Sequence, residues 1–234
     1  MTTFAVRAKR WPALPALRLT DGAVEALKWL ALLLMVADHV NKYLLQEQVP
    51  VAFDLGRMVM PIFAVVLGFN LARGVPGTFP RVALRLSLYG SLATVPFIAL
   101  GGLAWVWWPL NVMATLLTAT LVCWAFNAGQ LPQKVLACML FLIAGSSVEF
   151  WWPGVALCVA AWSYARAPSW FALLGGVAAL VALRIVNGND FALLTIPVLA
   201  LATMWRRPLP RARHVFYVFY PTHLAALWLL QRFA

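Results

Sequence analysis

An all-α fold, a polytopic bundle of transmembrane helices, is what this 234-residue sequence predicts. Three observations point there. Hydrophobic residues make up 64% of the chain and charged residues only 11%, with a mean hydropathy of +0.85, whereas ordinary globular domains are about 45–50% apolar. Apolar segments recur along almost the whole length at roughly the 20-residue scale that crosses a bilayer. Lys and Arg sit mainly in the short breaks between those segments. The net charge of +11 therefore reads as membrane topology, and no nucleic-acid partner is expected.

Residues 1–23 form a basic tail carrying Arg7, Lys9, Arg10 and Arg18. The tail lacks an apolar core followed by a small-residue cleavage site, so it reads as an uncleaved cytoplasmic segment. Residues 24–234 form a single transmembrane domain. Its apolar runs predict nine spans, near 24–45, 51–72, 81–100, 108–127, 133–149, 150–166, 169–187, 190–205 and 214–232. The fifth and sixth are short and joined by little more than Glu149, so eight crossings with a re-entrant pair is the alternative. Cys123, Cys138 and Cys158 fall inside apolar runs without metal-ligand spacing; they read as three buried thiols, and no metal is expected.

Orientation follows from the basic residues. With the N-terminus inside, Arg7, Lys9, Arg10, Arg18, Lys28, Arg73, Arg81, Arg85, Lys134, Arg166, Arg206, Arg207, Arg211 and Arg213 face the cytoplasm. Only Lys42, Arg184 and Arg232 lie toward the outside, while Arg57 lies within a span. That bias places the N-terminus in the cytoplasm.

Depth is then readable at about 1.5 Å per residue. His39 lies ~22 Å along a core roughly 30 Å thick, counted from Val24. Arg57, counted from Val51 on the opposite side, lies ~9 Å below the outer surface, at nearly the same level. Asn111 and Thr115 share this layer, with Asp54 and Glu149 slightly further out. The outer half of the bundle thus holds a polar floor. Ionisable groups there are costly, roughly 2.5–3.5 kcal/mol for an aspartate, and are functional by default.

On the first span, Lys28 and His39 differ by only about 20° around the helix, so both face one stripe with Met35 between them. Asp38 points about 100° away from His39 and is in position to pair with Lys42, one turn on. On the second span, Asp54 and Arg57 are one turn apart and in position to pair, Gly56 permits close helix approach, and Pro61 frees the carbonyl of Arg57. A plain salt bridge is one reading of that arginine; an arginine fixed by Asp54 and aimed at an oxyanion is the other. The last span carries Tyr217, Tyr220 and His223, with Tyr220 and His223 on one face. His223 lies ~14 Å deep, near the midplane; straight helices would leave it several ångströms below His39. From the residues alone, this constellation fits acyl transfer, proton-coupled transport or an ion path.

Six segments in order resemble the TraX family: LKWLALLLMVADHV (27–40), GRMVMPIFAVVLGFNLAR (56–73), LNVMATLL (110–117), VEFWWPG (148–154), NDFALLTIPVLAL (189–201) and VFYVFYPTHLAALWLL (215–230). That family comprises membrane proteins associated with N-terminal acetylation of pilin in conjugative systems. A more distant similarity is to membrane acyltransferases that acetylate cell-surface sugars, which carry an Arg, ten residues, then a His on the first helix. Here Lys28 replaces that Arg, ten residues before His39, which exchanges a planar fork for a point charge.

The resemblance implies a bacterial inner-membrane acetyltransferase that uses acetyl-CoA from the cytoplasm and acts on a pilin or another exported acceptor. It implies that Arg73, Arg81, Arg85, Arg206, Arg207, Arg211 and Arg213 hold the donor's phosphates. His39, Asp38, Arg57 and His223 form the expected catalytic set, with His39 as general base or transient acetyl acceptor and Arg57 on the oxyanion. Lys28, Asp54, Asn111, Thr115, Glu149 and Tyr220 form the expected substrate-binding set. The rival readings are a proton-coupled transporter, in which Asp38, His39, Arg57 and His223 act as a relay, and a non-catalytic assembly factor.

Overall fold

A computed structural model describes residues 13–105, 107–212 and 214–233. Its helices are α1 (Asp21–Tyr43), α2 (Pro50–Gly56), α3 (Val59–Ala72), α4 (Thr78–Ala99), α5 (Val112–Ala128), α6 (Leu131–Met139), α7 (Trp151–Arg166), α8 (Trp170–Ala182), α9 (Arg184–Asn187), α10 (Thr195–Met204) and α11 (Val215–Phe233). A π turn (Leu140–Ala144) extends α6, and a 3-10 turn (Phe191–Leu194) precedes α10. Among the described residues no strand forms; one isolated bridge pairs Leu110 with Val148.

The predicted apolar runs coincide in order with these helices, α2 with α3 making the second run and α8 with α9 the seventh. Among the described residues, three stretches are long and apolar enough to cross a membrane: Pro50–Ala72, Thr78–Ala99 and Trp170–Asn187. Boundaries shift where local chemistry outweighs hydropathy. α1 starts at Asp21, inside the sequence-read tail, because the Thr20 hydroxyl caps it, accepting from Ala23 N–H at 3.1 Å. α5 starts at Val112, four residues late, because Asn111 caps it and accepts from Met113 N–H at 3.0 Å. The second run breaks after Gly56 because Pro61 offers no N–H to the Arg57 carbonyl. There Arg57 and Met58 bond three residues back, to Asp54 and Leu55.

Four apolar clusters fill the interior of the described residues, the smallest formed by Leu71, Cys123 and Trp162. Met60, Ala64 and Val65 of α3 pack with Ala119 and Val122 of α5, Val155 and Leu157 of α7, and Leu180 of α8. Met35 packs with Leu86 and Phe97 of α4, Met113 of α5, and Tyr220 and Leu224 of α11. Val24, Leu27 and Ala31 pack with Met58, Ile62 and Val66. Cys123 and Cys158 are buried as expected, but Cys138 is exposed on the outer surface of α6, since hydropathy alone does not say which face of an apolar helix meets the core.

The link between α10 and α11 decides the register of the last helix. It runs as an extended strap along the first turns of α1: Thr20 Oγ1 donates to the Trp205 carbonyl at 3.1 Å, Arg211 pairs with Asp21, and Ala212 N–H donates to Glu25 Oε2 at 3.3 Å. Gly22 makes the contact feasible, because a Cβ there would lie 2.0 Å from the Arg207 carbonyl oxygen. The strap carries the chain upward before α11 begins, so Phe216 lies beside Lys28 and Trp29 instead of level with the start of α1. Gly22→Ala should displace the strap and cost about 1–3 kcal/mol. Thermal unfolding in detergent would read this as a lower Tm, together with faster proteolysis between residues 205 and 212.

Candidate active site

The strap brings together two histidines that straight-helix counting separates. His39 Nδ1 and His223 Nε2 lie 2.7 Å apart, with ring planes inclined by only 7°. The sequence count set His223 several ångströms too low because it aligned the starts of the two helices, whereas α11 starts near the level of Lys28. The bond network then fixes the protons. His223 Nδ1 lies 3.0 Å from the Phe219 carbonyl oxygen, which can only accept, so Nδ1 carries the hydrogen. With neutral rings, His223 Nε2 accepts, His39 Nδ1 donates, and the lone pair of His39 Nε2 is left unused. Tyr43 packs edge-on against His39 at 5.8 Å, and Tyr220 lies 5.6 Å from His223. His39 thus presents a bare ring nitrogen oriented by a second imidazole.

Asp38 serves a different partner. Arg57 Nη2 donates to both its carboxylate oxygens, at 2.8 and 2.9 Å, while Arg57 Nε donates to the Phe53 carbonyl at 3.1 Å. The guanidinium also stacks over the Phe53 ring at 4.1 Å. Gly56 is the enabling residue: a Cβ there would fall 2.6 Å from Asp38 Cβ and Cγ. Both sequence-read local pairings are thereby corrected. Asp54 does not hold Arg57; it accepts from Asn189 Nδ2 at 2.9 Å, tying α2 to the turn before α10. Lys42 does not form an ion pair with Asp38; it sits over the Tyr43 ring. Helical spacing offers the local partner, but the break after Gly56 turns Arg57 out of α2 and toward α1.

Below the histidines lies a cavity of about 290 Å³. Asp21, Arg73, Arg85 and Arg211 line its mouth, at what is here termed the basic end, and Met35, Val112 and Tyr220 line its deep end. Met35 and Tyr220 stand about one helical turn before His39 and His223, so the cavity ends directly beneath the pair. Its walls are mostly apolar, from Val59, Phe63, Leu67, Leu86, Met113 and Leu116, with Glu25 and Asn70 among them. Lys28 also lines it, paired with Glu25 at 2.6 Å and lying over the Phe216 ring.

The mouth is partly self-neutralised. Asp21 pairs with Arg73 at 2.6 Å and with Arg211. These two guanidinium hydrogen bonds, Arg73 first, hold the Asp21 carboxyl below its ordinary value of 3.8. A depressed carboxylate contributes its ties at neutral pH and loses them only as pH falls through that lowered value.

The other rim arginines stand apart from the mouth. Arg81 donates to the carbonyls of Gly77 and Pro76, and Arg206 to that of Thr203. The Arg207 carbonyl accepts from Trp205 Nε1 within the strap. Arg213 lies outside the described residues. Position in a basic loop did not distinguish side chains that fold back on that loop from those that reach the cavity.

Asn111 is committed to structure. It caps α5 and donates both amide hydrogens, to the Gly90 carbonyl at 3.0 Å and Thr94 Oγ1 at 3.2 Å, which leaves none for an oxyanion. Thr115 is fully buried with an unpartnered hydroxyl beside Met60 and Gly154. Glu149 sits in the turn before α7, where its N–H bonds the Leu110 carbonyl at 2.8 Å and its carboxylate faces the Val112 amide. Sequence reasoning missed Asp21, Glu25 and Asn70 as cavity residues. The signal was present for two of them, since 21, 25, 28, 35 and 39 form one helical stripe.

The Asp38–Arg57 pair should behave as a tertiary tie. A double-mutant cycle with Asp38→Asn and Arg57→Gln is expected to give a coupling energy of about 1–3 kcal/mol by chemical unfolding. Asp54→Asn combined with Arg57→Gln should be close to additive.

The family model described as TraX protein matches residues 23–231. "Protein TraX" of Escherichia coli is 28% identical over 223 residues, covering 90% of this chain and 88% of that protein. No solved structure matches. With a family model covering nearly all of its helical region, the chain belongs to the TraX family.

Proposed function

We propose that this TraX-family chain is an inner-membrane acetyltransferase with nine crossings and a cytoplasmic N-terminus. It takes an acetyl group from acetyl-CoA at the basic end and transfers it to an acceptor presented from the other side. The acceptor class is the N-terminus of a pilin or another exported substrate. The observation that carries this reading is the alignment of three features: a mouth with Arg73, Arg85 and Arg211, an apolar cavity, and the His39–His223 pair one turn above its deep end.

The residues fit such a donor. Arg73 and Arg211, released from Asp21, and Arg85 are placed to receive phosphates, and the apolar walls suit a slender acyl-bearing arm. Acetyl-CoA supplies the activated acyl group. His39 Nε2 takes the proton that the acceptor loses as it bonds the acetyl carbon and passes it to the CoA thiolate released when the C–S bond breaks, and His223 steadies the intervening imidazolium through the Nδ1–H bond. Arg57 has its Nη2 and Nε committed, and its Nη1 makes no hydrogen bond among the described residues, so Nη1 is the donor for the developing oxyanion. Asp38 acts by holding that guanidinium. Opposed entry of donor and acceptor explains why charged groups are placed at this depth in an apolar protein.

The test is acetyl transfer in reconstituted membranes with labelled acetyl-CoA. His39→Ala should lower turnover by about 10²–10⁴-fold while acetyl-CoA binding persists. His223→Ala should lower it less. Arg73→Ala with Arg211→Ala should raise the KM for acetyl-CoA and leave thermal stability little changed. Full turnover in His39→Ala would exclude the mechanism, and proton flux without acetyl-CoA would favour a transporter.

A further inference from the structure

The turn between the π helix and α7 holds one acidic side chain, Glu149, in a heavily braced backbone. Trp151 adopts φ +44°, a left-handed conformation that a bulky residue rarely takes. Leu110 and Val148 form the isolated bridge, with Leu110 N–H donating to the Ser147 carbonyl at 2.9 Å and Glu149 N–H to the Leu110 carbonyl at 2.8 Å. Indole groups brace the segment: Trp108 Nε1 donates to the Ser146 carbonyl and Trp152 Nε1 to that of Leu142, both at 3.0 Å. The π turn at Leu140–Ala144 lies immediately before it, and such turns concentrate at functional sites.

What this framework fixes is the Glu149 side chain. It is half-buried. Among the described residues it makes no ion pair within 4.0 Å, although Lys42, Arg57 and Asp38 are all within electrostatic range. Arg57 is taken by Asp38, and Lys42 lies over Tyr43. It faces the Val112 backbone amide. It also lies within range of Tyr43 and Tyr220, the rings packed against His39 and His223 respectively. A half-buried carboxylate braced in place, outside any ion pair among the described residues and within range of the rings that pack on the two histidines, is a receptor for a cation.

We propose that Glu149 binds the acceptor as an ammonium, which selects amine acceptors over hydroxyl acceptors at the site proposed above. This inference rests on the acetyl-transfer reading. Proton transfer within the ion pair leaves a neutral amine beside a neutral carboxylic acid, so the nucleophile is unmasked where it is held and no net charge is created.

The experiment uses the full-length protein in proteoliposomes with acetyl-CoA and two probes: a short peptide with a free N-terminal amine, and the same peptide beginning with a 2-hydroxy acid. Glu149→Gln should raise the KM for the amine peptide by about 10- to 100-fold, with kcat changed less and acetyl-CoA binding unchanged. The amine-over-hydroxyl preference should shrink accordingly. Glu149→Asp should recover part of the lost affinity. An active wild type beside an unchanged KM in Glu149→Gln would overturn the assignment of Glu149 alone. Equal loss of acetyl-CoA binding in Glu149→Gln and Glu149→Asp would make the residue a structural prop and overturn it too. A wild type that consumes no acetyl-CoA with either probe would overturn the transfer reading beneath it.

Discussion

The architecture turns on one nitrogen-to-nitrogen hydrogen bond, 2.7 Å long, between the first and last helices. It determines how high α11 must sit, and so requires the strap that lifts the chain past the start of α1. Through the carbonyl of Phe219 it also dictates which ring nitrogen is bare. A neutral imidazole is a weaker anchor for a basic histidine than a carboxylate would be, but in an apolar bundle it avoids burying another charge. Of the formal charges close by, Asp38 and Arg57 neutralise each other.

A second consequence concerns division of labour. Asp38 and His39 are adjacent in sequence yet face different neighbours, because one helical step rotates a side chain by about 100°. One faces α2 and holds a guanidinium; the other faces α11 and keeps a lone pair. Adjacency along the chain lets a single rigid helix fix both groups at the same depth. Gly56 on one side and Gly22 at the other end supply the close approaches that make both contacts reach.

How much of this was legible in the sequence divides along a physical line. The helical class, the order of the apolar runs and the level shared by His39 and Arg57 followed from hydropathy and rise per residue, both local properties. Partner choice did not. Sequence offered Asp54 for Arg57 and Lys42 for Asp38, each at favourable helical spacing, while the fold pairs Asp38 with Arg57 across nineteen positions. No local rule shows that α2 ends after Gly56 and releases its arginine, though Pro61 was the clue. The missed His39–His223 contact has a similar origin: helix depth was counted from assumed common starts, and an extended strap has no periodic signature. Asn111 was placed in the right layer but read as a donor to substrate, when its helix-capping position already accounted for its bonds.

The paired arginines at the cavity entrance carry an implication for which anions can settle there. Because Asp21 already satisfies Arg73 and Arg211, an anion arriving alone merely exchanges one negative partner for another and gains little. A ligand bearing several negative groups at fixed spacing can engage both guanidiniums and Arg85 together, recovering in multiplicity what it loses in exchange. On the proposed reading, the occupied doorway would act as a valence filter, favouring polyanions over the single-headed anions that abound at a lipid surface.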